Sequence, residues 1–154
     1  MVRQEKSVQI VNYKSTKKII LGSCCFRQPE AESHCKYLHG YNLYAKLWFE
    51  CNELDKHNWV VDFGCLKEIK NNLKNMFDHK TIITIKDPEI KTFKLLHKKG
   101  IIDLRICNGV GIEKFAEYVF TDVNRFIKIK TNGRCWVSKC EVWEHDLNSA
   151  IYKK

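Results

Sequence analysis

Apolar and polar residues alternate most cleanly over residues 41–51. Leu43, Ala45, Leu47 and Phe49 share one face, and Tyr44, Lys46, Trp48 and Glu50 share the other. A period of two with one apolar face marks a half-buried strand. Residues 7–13 and 18–26 also read as strands, and a polar loop follows from Arg27 to Lys36. A turn over 52–58 leads into a short strand at Trp59-Val60-Val61. The pattern then shifts to helical spacing. Leu66, Ile69, Leu73 and Met76 make an apolar stripe over 63–77 behind Asp62, a residue type that caps helix N-termini. Pro88 suits the first turn of a second helix over 88–98, which ends at Gly100. Residues 101–107 read as a strand. The strongest helix covers 111–128, with Ile112, Phe115, Ala116, Val119, Phe120, Val123 and Phe126 on its face, and a last strand covers 136–143. This order of strands broken by helices predicts an α+β fold with a largely antiparallel sheet.

A chain of 154 residues fits one domain, 1–154. With 44% hydrophobic and 29% charged residues it can bury a core and remain soluble. No run of 18 apolar residues exists, so no membrane-spanning helix is expected. The start of the chain lacks the pattern of a signal peptide, and the expected location is the cytoplasm. The 27 basic and 18 acidic residues leave a net charge of +9, which suits either a solvated lysine-rich surface or an anionic ligand. Charge alone does not make a nucleic-acid binder, and no groove-reading motif accompanies it. The eight cysteines contain no CxxC pair, so neither a zinc ribbon nor a thioredoxin-type site is expected. Most of them read as buried small hydrophobes.

Reactive side chains concentrate in four segments. These are Ser33-His34-Cys35 through His39-Gly40-Tyr41-Asn42, Phe77-Asp78-His79 at the end of the first helix, Glu113 at the start of the long helix, and Val142-Trp143-Glu144-His145 with Asn148 to Tyr152 after it. Singly, each has a plain reading as a core thiol, a helix-terminal polar pair or a surface carboxylate. In order and spacing they resemble the family of 6-pyruvoyl-tetrahydropterin synthase and its bacterial relative of the queuosine pathway, 6-carboxytetrahydropterin synthase. The family's Cys-x3-His-Gly-His-Asn appears as Cys35…His39-Gly40-Tyr41-Asn42. Its Val-x-Asp-Phe-x-x-Leu-Lys appears as Val60-Val61-Asp62-Phe63-Gly64-Cys65-Leu66-Lys67. Its Leu-Asp-His appears as Phe77-Asp78-His79, and its Glu-x4-Ala-x-Tyr is matched near Glu144…Ala150-Ile151-Tyr152. The resemblance covers residues 17–154.

The resemblance implies a tunnelling fold: a four-stranded antiparallel sheet with helices on one face, subunits closing into a trimeric barrel, and trimers stacking into a homohexamer. It implies a lyase acting on 7,8-dihydroneopterin triphosphate at sites between subunits. Glu144 matches the glutamate that holds the pterin edge, with Glu113 as a second substrate-binding residue. Cys35 matches the cysteine that takes a proton from the side-chain carbon, and Asp78 and His79 match the proton-shuttling pair. It also implies Zn2+ on three histidines. Here His39 matches one, Tyr41 stands in place of another, and either Cys25 or Phe26 falls at the third position, depending on the alignment. A rebuilt set of Cys24 or Cys25 with His39 and His34, or a lost site, are the two alternatives. Gly109 to Glu113 replaces the family's Pro-Thr-x-Glu, and residues 84–100 read as an insertion. The rival function is a non-catalytic or repurposed protein of the same fold that binds a pterin- or purine-like ring.

Overall fold

The computed structural model describes residues 12–154. The strand expected over 7–13 therefore lies almost wholly outside the described residues. Six strands form one sheet: β1 (Tyr13–Phe26), β2 (His39–Cys51), β3 (Lys80–Thr84), β4 (Leu104–Cys107), β5 (Cys135–His145) and β6 (Asn148–Lys153), in the order β4-β3-β1-β2-β5-β6. The four strands β1, β2, β5 and β6 are antiparallel neighbours, matching the four-stranded antiparallel sheet that the resemblance implies, although β6 is not among the strands read from the sequence pattern. The other two extend the sheet beyond β1 as parallel strands.

Three α-helices accompany the sheet among the described residues: α1 (Lys67–Phe77), α2 (Ile90–Lys98) and α3 (Ile112–Lys130). Asp62 caps as expected, its Oδ1 accepting from Gly64 N at 2.7 Å, but the first turn it caps is 3₁₀, Phe63–Leu66, which runs on into α1. Ile69, Leu73 and Phe77 of α1 and Phe115, Ala116, Val119, Phe120, Val123 and Ile127 of α3 are buried at helical spacing. They close over the inward side of the sheet: Leu21, Cys24 and Phe26 from β1, Leu43, Ala45, Leu47 and Phe49 from β2, Val137, Cys140 and Val142 from β5. Phe115 meets Phe26 and Phe77 edge-on at 5.1 and 5.3 Å between ring centres. Such pairs contribute about 0.5–1.5 kcal/mol each beyond area burial.

Several sequence expectations are corrected. Residues 80–84, not anticipated as a strand, form the buried β3. Trp59-Val60-Val61 is not a strand: among the described residues no strand pairs with it, and Arg134 instead donates to the carbonyls of Glu53 and Val60 at 2.9 Å each. The helix expected from residue 88 begins at Ile90, because Pro88 and Glu89 belong to a turn fixed by Asp87. The carboxylate of Asp87 is fully buried, grips Arg27 at 2.6 and 2.8 Å, and accepts from Glu89 N at 2.8 Å. The segment 84–100 thus carries α2, the crossover between β3 and β4. Ile83 and Phe93 are buried outside the main core, so α2 packs at the β3–β4 end rather than with α1 and α3.

Candidate active site

The loop after β1 returns through Gln28 N–Cys35 O at 2.8 Å and a single 3₁₀ turn, His34–Lys36. Ser33 Oγ caps that turn by accepting from Cys35 N at 3.3 Å. Cys35 is left half-exposed at the mouth of a cleft of about 520 Å³. His39, Glu113 and Glu144 line the same cleft, with Phe26 and Asn148. Four residues scattered over the sequence thus meet in one place: the end of the loop, the start of β2, the first turn of α3 and the end of β5.

Glu144 is held by its own hairpin. Asn148 Nδ2 donates to Glu144 Oε1 at 2.8 Å, and His145 Nε2 lies 3.6 Å from the same oxygen. The side chain of Glu144 is only 18% exposed. One carboxylate oxygen is therefore occupied within the chain, and the other remains an acceptor for a ligand edge. Glu113 follows Gly111, whose φ of +111° disfavours any side chain; a Cβ there would approach Gln28 Nε2 to 2.8 Å. Tyr41 is not among the site residues that the sequence points to. Burial, then the carboxylate of Glu144, then the thiol of Cys35 push its phenol pKa above the ordinary value. Its ring packs between those of His39 and His145, at 5.4 and 6.0 Å, and it lines the cleft beside Ser23 and Cys25.

Asp78 and His79 lie elsewhere. β1 bulges between Ile20 and Gly22, and Gly22 adopts φ +108°. Asp78 packs on that glycine: a Cβ at Gly22 would fall 2.3 Å from Asp78 Oδ1. Oδ1 accepts from Ser23 N at 3.2 Å and pairs with His79 Nδ1 at 3.0 Å. His79, at φ +59°, anchors its own N–H to Ser23 O at 2.6 Å and leaves its side chain 85% exposed. Burial pushes the Asp78 carboxyl up. The Ser23 amide, His79 and Lys74 outweigh this and hold it below the usual carboxylate range. His79 opens onto a second cleft, of about 740 Å³, beside Ser23 and Cys25.

The two metal candidates, His39 and Cys25, are not brought together. In β1 the buried Cys24 and Phe26 point inward, and the exposed Cys25 between them points to the opposite face. The residue paired with His39 is Phe26. Phe26, His39 and Tyr41 share the inward face, with ring centres 4.9, 5.4 and 6.0 Å apart. Phenylalanine offers no lone pair, so the position beside His39 supplies no ligand, and Cys24, the cross-strand partner of Tyr41, is a buried thiol. Among the described residues no three His, Cys, Asp or Glu side chains converge as ligands, and His34 packs instead toward Tyr37. The residues present do not fit a three-histidine zinc site.

The family model described as 6-pyruvoyl tetrahydropterin synthase matches residues 21–154, most of the chain. The chain belongs to the 6-pyruvoyl tetrahydropterin synthase family. Curated relatives in that family include the 6-carboxy-5,6,7,8-tetrahydropterin synthase of Rickettsia bellii, 33% identical over 114 residues, which span 73% of this chain and 80% of the relative. The enzyme of the same name from Rickettsia conorii is 32% identical over 62 residues, 40% of this chain and 45% of that one, so that match spans less than half the relative's length. Among solved structures, a Wolinella succinogenes protein superposes with a TM-score of 0.81 at 18% identity over 94% of this chain and 99% of its own. The 6-pyruvoyltetrahydropterin synthase of Plasmodium vivax follows at 0.70, 16% identical, covering 93% and 98%. These likenesses establish that this member of the synthase family has the family's fold. No helix among the described residues is long and apolar enough to cross a membrane.

Proposed function

We propose that this protein is a pterin carbon–oxygen lyase of the 6-carboxytetrahydropterin synthase type, acting on 7,8-dihydroneopterin triphosphate or a close relative. The observation that carries this reading is the convergence of Cys35, His39, Glu113 and Glu144 on one cleft. The free oxygen of Glu144 accepts hydrogen bonds from the amino and ring N–H groups of the pterin, and Glu113 supports the substrate from the start of α3. Cys35, as the thiolate, removes a proton from the side-chain carbon. The released electron pair closes to a carbon–carbon double bond as the adjacent carbon–oxygen bond breaks, and the triphosphate leaves with that bonding pair. The surplus of basic residues favours that anionic group.

Asp78 and His79 do not reach Cys35 within one chain. In this reading they serve the cleft of a neighbouring subunit in a trimer or hexamer. The outer edges of β4 and β6 support assembly, because uncovered edges invite pairing with another chain. The eight free thiols suit a reducing compartment such as the cytoplasm, and the family relationship suits queuosine synthesis. Light scattering during sizing should give a trimer or hexamer; a stable monomer would contradict the shared site. The deciding experiment is incubation with 7,8-dihydroneopterin triphosphate and identification of products by mass. Binding without turnover would favour the second reading, a pterin- or purine-binding protein. The presence of Phe26 and Tyr41 beside His39 is the observation that favours that alternative.

A further inference from the structure

We infer that Phe26, His39 and Tyr41 occupy the three corners of an imidazole-type metal site in which two corners have been exchanged for non-ligands, so that this chain holds no resident zinc there. Three imidazoles on a tetrahedral ion, with metal–nitrogen bonds of about 2.0–2.1 Å, keep their ring centres roughly 5 Å apart. The three rings here are separated by 4.9, 5.4 and 6.0 Å. Strand pairing fixes the triangle: Phe26 and His39 are direct partners across β1 and β2, and Tyr41 lies two residues along on the same face.

His39 keeps a ligand's posture. A carbonyl can only accept, so His39 Nδ1–H donates to Tyr37 O at 2.7 Å, which leaves Nε2 as the nitrogen available to a metal. That outer hydrogen bond is the kind that orients metal-bound histidines. Phe26, by contrast, is 2% exposed and fills its corner with hydrocarbon packed on Phe115. A phenol at the third corner is not among the imidazole, thiolate and carboxylate groups that zinc takes. The inference requires no pterin, so it stands or falls separately from the proposed reaction.

The test measures zinc in the full-length protein after exposure to zinc and removal of loosely bound ion. Wild type should retain well under one zinc per chain, and Phe26→His/Tyr41→His about one. Adding His39→Ala to that double variant should abolish the gain. With Co2+, only the double variant should develop the absorption of a tetrahedral site. About one zinc per wild-type chain, lost in His39→Ala, would overturn the inference. So would a double variant with wild-type circular dichroism that gains no zinc. Should the buried histidine at 26 prevent folding, Tyr41→His alone should compete for zinc with a colorimetric chelator better than wild type does, and failure to do so would also count against it.

Discussion

The cleft around Cys35 and the corner at Asp78–His79 are built by opposite means. In the corner the backbone does the positioning: the Gly22 bulge, the left-handed His79 and the Ser23 amide and carbonyl fix the pair from three sides. In the cleft the groups sit on segment ends, Cys35 on a single 3₁₀ turn and Glu144 at the close of β5, each steadied by one neighbouring side chain. The corner is thus held by backbone contacts from three sides and the cleft by side-chain contacts at segment ends, so the two should respond differently to substitution.

The largest expected effect is in the cleft. Cys35→Ala should lower turnover by about 10²–10⁴-fold, the usual contribution of a general base, while sizing and pterin binding stay near wild type. Rapid-quench product assays check it, and retained activity would move the base elsewhere. In the corner, Gly22→Ala should cost about 2–4 kcal/mol of stability in urea denaturation, because a side chain at that φ is strained and collides with Asp78. A loss under 1 kcal/mol would mean that the corner is softer than its geometry implies. Glu144→Gln replaces an acceptor by a partial donor and should weaken pterin binding by about 1–3 kcal/mol, read by fluorescence titration.

The smallest effect is a pH dependence confined to the corner. The folded Asp78 carboxyl lies below its ordinary range, so its stabilising contribution is complete above the unfolded value of about 3.9 and fades as pH falls through the folded one. Asp78→Asn should remove that part of the acid limb of a stability–pH curve. An identical acid limb in the variant would show that the pairing contributes nothing.

The long periodic elements, β2, α1, α3 and β5, are legible in the sequence because one face of each is buried and repeats often enough to be recognised. β3 and β6 are not, at five and six residues with little alternation. The register of β1 against β2 is not legible in the sequence either. From the sequence, Cys25 and Phe26 are equally good candidates for the position beside His39. Only cross-strand pairing chooses Phe26, and a shift of one residue exchanges the two faces of a strand. The Asn148–Glu144 contact was hidden for a similar reason, since it exists only once β5 and β6 fold back on each other.

The alternation along β1 also makes the molecule readable by thiol chemistry. Cys24, Cys135 and Cys140 are buried, with thiol pKa values of about 12, and burial raises those of Cys51, Cys65 and Cys107 as well. Such thiols exist almost wholly in the protonated form, which alkylating reagents attack slowly. The exposed Cys25 and the half-exposed Cys35 remain accessible, the first beside the Asp78–His79 corner and the second in the cleft. With the half-exposed Cys65 and Cys107 replaced, a fluorophore on Cys25 would report on the corner and one on Cys35 on the cleft.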